Sequence, residues 1–158
     1  MIDILVDEEL AGTFAVPAGI EQAVIATCRL AGQAASQPQL CVRFAADDAV
    51  HELNRQWRGK DQVTDVLSFP MQEGPLFDFE QPLGDIALAV PFIQQEAARL
   101  ELAESAHGLH LIVHATLHLL GYDHINDQDA AEMQLLEKKI MAEIGLHNPY
   151  PVDESESI

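Results

Sequence analysis

The segment HATLHLLGYDH, residues 114 to 124, sets three histidines into a stretch whose other members are mostly apolar. A fold that buries such a segment must satisfy two ring nitrogens on every neutral imidazole it covers, because one left unpaired costs about 1–3 kcal/mol. No other feature of the sequence constrains the fold so tightly. His114 and His118 stand four apart, which puts them on one face of a helix about one turn from each other, near enough to grip a single ion. Gly121 can end that helix in a left-handed conformation and turn the chain back to deliver His124, completing the pattern H-x3-H-x5-H.

Three neutral imidazoles suit zinc and leave a fourth tetrahedral position for water, the arrangement of catalytic rather than structural sites. His110 also precedes His114 by four. Stacking 110, 114 and 118 on one ion is excluded, since eight residues rise about 12 Å along a helix. A 110/114 pair remains open, but 114/118 is preferred because the helix-ending glycine follows it. His107 and His110 are expected behind the ligands or on the surface. Ala115 follows His114, where an H-E-x-x-H metallopeptidase carries its glutamate base, and this counts against peptidase chemistry.

Around this segment the chain alternates two periodicities. Ile2 to Val6 and Gln39 to Ala45 read as strands, as do the short apolar runs Val66 to Phe69 and Ile86 to Val90, divided by the proline-rich loop PMQEGPLFDFEQPLG. Helices are predicted from Pro17 to a stop at Gly32, from Asp47 or Asp48 to Trp57 before Gly59, from Pro91 to about Glu104, from Ser105 to Leu120, and from Asp127 or Asp129 to Gly145. This order predicts an α+β fold, one mixed sheet with several packed helices and a zinc-dependent hydrolase-like site. The 158 residues suit one domain, taken as 1–146, followed by an acidic flexible tail over 147–158. Cys28 and Cys41 lack metal-ligand or disulfide spacing and read as buried, inert thiols. The start MIDILVDEEL has no secretory character and no run is long enough to span a bilayer, so a cytoplasmic location without membrane contact is expected.

A formal charge of −18, with 26 acidic residues against eight Lys plus Arg, opposes binding to polyanions over the whole surface. Arg55, Arg58 and Lys60 nevertheless fall together. They read either as cations favoured at a helix C-terminus or, with Arg43 on the adjacent strand, as a local positive groove beside the metal. Trp57 and Phe69 read as core aromatics, with base stacking the alternative.

HATLHLLGYDH at 114–124, RGKDQVTDVLSFP at 58–70 and LGDIAL at 83–88 together resemble the YbeY family of bacterial endoribonucleases and rRNA maturation factors. Agreement in element order extends over about 1–146. Only Ala115, where glycine is usual, and Val63, where proline is common, depart from the motifs. The resemblance implies one Zn2+ held by His114, His118 and His124, and catalysis by Arg58 and His114. It implies a metal-dependent endoribonuclease specific for single strands, acting in 16S rRNA 3′-end maturation and ribosome quality control. Its partners would be the 16S precursor, the small ribosomal subunit and assembly factors, with no DNA. A noncatalytic, zinc-stapled assembly factor is the rival reading, and a zinc peptidase a more distant one.

Asp85 and Asp123 are candidate acceptors for the second nitrogen of a ligating histidine, although Asp85 can equally begin a strand and Asp123 shape a turn. Asp65 and Ser68 lie in the matched block and read as serving the turn before the strand, with a catalytic part the weaker alternative.

Overall fold

A computed structural model describes residues 2–33, 37–123 and 125–150. The elements are β1 (Ile2–Val6), α1 (Ile20–Leu30), β2 (Leu40–Ala45), α2 (Asp47–Arg58), β3 (Val66–Pro70), β4 (Gly84–Ala89), α3 (Val90–Leu100), α4 (Glu104–Leu119) and α5 (Asp127–Glu143), with a 3-10 turn at Glu8–Leu10. The predicted order of strands and helices holds, and helix ends move for local reasons. Gly19 at φ 93° delays α1 to Ile20. Glu101 at φ 58° stops α3 at Leu100. Asn126, rather than Asp127 or Asp129, caps α5, its side chain accepting from the Asp129 amide at 2.9 Å.

The strands form one mixed sheet in the order β1-β2-β4-β3. β1/β2 and β2/β4 are parallel, and β3/β4 is antiparallel. Each parallel pair needs a crossover, which α1 supplies for the first and α2 with β3 for the second. Side chains alternate across the pleat. Leu40, Val42 and Phe44 of β2 with Ile86 and Leu88 of β4 therefore join α1, α4 and α5 in the main core. Ala45, Leu67 and Ala89 point the other way, into a smaller cluster with Val50 of α2. α4 is apolar on nearly every side and is correspondingly central, with buried residues all around it from His107 to Leu119.

Cys28 is fully buried and burial pushes its thiol up to about 11, as an inert core cysteine requires. Cys41 is only half-buried, because its position on β2 faces the thinly covered side of the sheet. None of the helices among the described residues is long and apolar enough to cross a membrane.

Gly84, in the LGDIAL motif, fixes how closely β3, β4 and α4 approach. With φ at 155°, a Cβ there would lie 2.3 Å from the Phe69 carbonyl oxygen and 2.8 Å from Leu119 Cδ2. Gly84→Ala is expected to destabilise the fold by about 1–3 kcal/mol through overpacking, read as a lowered urea midpoint. A midpoint equal to that of the unmodified chain would show that the strand pair gives way freely.

Candidate metal centre

The end of α4 closes in a complete reverse-turn cap. The Gly121 amide donates to the His118 carbonyl at 3.0 Å and the Tyr122 amide to the Leu117 carbonyl at 3.0 Å, with Gly121 at φ 96°. This cap carries the Tyr122 carbonyl back over the helix, where it accepts from His118 Nδ1 at 2.9 Å. One turn earlier, His114 Nδ1 donates to Glu137 Oε1 on α5. A carbonyl can only accept and Glu137 is held ionised, so both Nδ1 atoms carry the proton and both Nε2 atoms present lone pairs. Those two Nε2 atoms face each other at 3.1 Å. Two facing lone pairs repel unless they share an electrophile, and two nitrogens about 2.0–2.1 Å from one tetrahedral zinc would stand roughly 3.3 Å apart. The donor set therefore fits a metal ion. His124, the third expected ligand, lies outside the described residues, and no group of three His, Cys, Asp or Glu among the described residues is placed to hold a metal.

Glu137 is fully buried. Burial alone would raise its pKa, but His110, His114 and the Tyr150 hydroxyl, which donates to Oε2, outweigh that and bring it down to about 2. His110 Nε2 approaches the same oxygen at 3.8 Å, an electrostatic contact too long for a hydrogen bond. His107 Nε2 lies 2.8 Å from Glu96 Oε1 and is buried. His107 is thus buried against α3, whereas His110 lies beside His114 and Glu137. His147 and Tyr150, which the sequence places in the tail, bring their rings against His110 at centroid distances of 6.2 and 6.0 Å. Residues 151–158, the remainder of that tail, lie outside the described residues.

The histidines open onto a cleft of about 590 Å³, walled opposite by Asn54, Arg58 and Lys60 at the end of α2 and by the edge strand β3. Gly59 at φ 69° ends α2. Asn54 then holds the following loop, donating to the Gln62 carbonyl at 2.9 Å and accepting from the Lys60 amide at 3.2 Å. Arg58 donates to the Ser68 carbonyl and lies 5.4 Å over the Phe69 ring, so its guanidinium is anchored at the cleft rim. Asp65 accepts from the Val66 amide at 2.7 Å and so serves the start of β3.

Several sequence expectations are corrected. Arg43 is not beside the histidines. It forms a bidentate pair with Asp7, both contacts 2.9 Å, on the other face of the sheet. Arg55 pairs with Glu52 at 3.0 Å and does not line the cleft, leaving Arg58 and Lys60 as its cationic wall. Asp85 faces the same side as Arg43, so it orients neither described histidine, while Asp123 lines the cleft beside His114 and His118. For the two described histidines the Nδ1 acceptors are Glu137 and the Tyr122 carbonyl. A signal for Glu137 existed: it falls on the apolar stripe of α5 with Met133, Ile140 and Met141, a position where a carboxylate needs partners. Trp57 is not a core residue, being 64% exposed, whereas Phe69 packs partly buried against the smaller cluster.

An α+β domain thus aims two helix-borne imidazoles into a cleft that also holds an anchored arginine. The family model for endoribonuclease YbeY matches residues 11–145. A protein of Stutzerimonas stutzeri named endoribonuclease YbeY is 41% identical over 155 residues, covering 98% of this chain and 96% of that one. Another of that name from Rhizorhabdus wittichii is 46% identical over 128 residues, 77% of this chain and 76% of its own. The solution structure of TM1509 from Thermotoga maritima superposes with a TM-score of 0.60 at 26% identity, over 99% of this chain and 93% of that one. The chain belongs to the endoribonuclease YbeY family.

Proposed function

We propose that this chain is a metal-dependent endoribonuclease, specific for single strands, that acts in 16S rRNA 3′-end maturation and ribosome quality control with the small ribosomal subunit and its assembly factors. The observation that carries the reading is the facing pair of imidazole lone pairs at 3.1 Å, opposite an anchored arginine, in a chain of this family. His114 and His118, with His124, would hold one Zn2+. Bound there, zinc would supply Lewis acidity toward a phosphoryl oxygen and would acidify water near neutral pH.

The protein's own groups do the rest. Glu137 and the Tyr122 carbonyl keep each ring in the tautomer that offers Nε2 inward. Arg58, tethered through one arm to the Ser68 carbonyl, turns its remaining donors to a phosphate and neutralises charge building on it. Lys60 adds a second cation on the same wall.

Metal analysis tests this reading. The purified protein should contain about one zinc per chain and His118→Ala less than a tenth of that, with loss of cleavage of single-stranded RNA. Chelation should lower the melting temperature of the unmodified protein and leave that of His118→Ala unmoved. Full zinc content in the variant would overturn the ligand assignment.

A further inference from the structure

A second cavity, of about 510 Å³, lies on the sheet face that α2 covers only in part. Leu5, Leu53, Trp57, Phe69 and Ala87 give it apolar walls. Val50, Leu53 and Trp57 share one stripe of α2 at spacings of three and four residues. The first is buried in the smaller cluster, while the last runs past the covered sheet and leaves Trp57 64% exposed.

This groove adjoins the histidine cleft. α2 presents Trp57 to the groove and Arg58 to the cleft, and β3 does the same with Phe69 and Ser68. The Arg58 guanidinium, bonded to the Ser68 carbonyl and 5.4 Å over the Phe69 ring, stands on the divide. Among the described residues the groove offers no unpaired cation: Arg43 is matched by Asp7 through two contacts of 2.9 Å, and Asp85 adds a carboxylate. A phosphate is therefore repelled from it. An uncharged planar ring is accepted, with Asp85 able to take a hydrogen bond from an N–H on that ring's edge. A nucleotide satisfies both compartments in one orientation only, phosphate toward Arg58 and base in the groove.

We propose that this groove is a base-binding subsite, taking one unpaired base next to the phosphate held at Arg58 and using Trp57 as its stacking wall. The proposal rests on the ribonuclease reading and deepens it. It makes recognition of a single strand a direct result of shape, since a base held in a duplex cannot enter.

Trp57 is the sole tryptophan of the chain, so its emission reports the groove alone. A 2′-O-methyl oligoadenylate should quench it with the same midpoint that fluorescence polarisation of a labelled copy gives. An abasic oligomer of equal length should neither quench nor bind as tightly. Trp57→Leu should weaken binding and raise KM about tenfold, the scale of one base–aromatic stack, with a smaller effect on kcat. Trp57→Phe should restore most of the affinity. Polarisation that shows binding while Trp57 emission stays constant would overturn the subsite, leave the ribonuclease reading standing and give the groove to another partner. Absence of any binding to single-stranded RNA by polarisation would overturn both.

Discussion

Arg58→Ala is expected to lower kcat for cleavage of single-stranded RNA by about 10²- to 10³-fold, the usual cost of losing one donor aimed at developing charge. The fold should survive it. Arg58 is exposed at the end of α2, and its contacts are one carbonyl on the open edge of β3 and one aromatic face. Its melting temperature should therefore stay within about 2 °C of the unmodified value, as for a surface substitution worth less than about 0.5 kcal/mol. Arg58→Lys should recover only part of the rate, because an ammonium keeps the charge and loses the planar fork that matches a phosphate. Unchanged cleavage by a folded Arg58→Ala protein would remove the arginine from the chemistry and favour a noncatalytic assembly role.

Glu137→Gln tests the opposite combination, a group remote from substrate on which the centre depends. A glutamine has one accepting oxygen where the carboxylate serves both His114 Nδ1 and the Tyr150 hydroxyl, and its amide protons face donors in a fully buried place. Zinc affinity should fall by about 10- to 100-fold. Stability should fall by about 1–3 kcal/mol as a buried polar group loses its partner, a drop of roughly 3–10 °C for a chain of this size. The pH dependence has a definite sign. Glu137 is shifted down from 4.5 to about 2, so the stability it adds is present above the unfolded value and is lost as pH falls through that window. Glu137→Gln should flatten this part of the acid limb. Equal zinc affinity and an equal acid limb in the two proteins would show that the carboxylate does not hold His114.

The facing imidazoles were legible because everything that builds them is local: a spacing of four on one helix, then a glycine whose left-handed φ brings the next carbonyl back. Their partners were not all legible. Glu137 meets His114 across 23 residues, and only its place on the apolar stripe of α5 marked it. The misplacement of Asp85 has an instructive cause. Ile86 and Leu88 face α4 and the main core, so the twofold alternation of a strand sends Asp85 to the opposite face. The same parity separates Arg43 from Val42 and Phe44 on β2. Assignment by nearness in sequence overlooked that alternation, and the strand order that carries both residues away from the histidines is a long-range property of packing. Trp57 was misread for a related reason: its stripe on α2 has core periodicity, but the sheet beneath ends before the helix does.

The tie between His114, Glu137 and Tyr150 also imposes an order on the birth of the centre. Glu137 leaves the ribosome 23 residues after His114, and Tyr150 a further 13 after that. The tautomer of His114 is therefore set from the far end of the described chain, whereas that of His118 is set only four residues away, by the Tyr122 carbonyl.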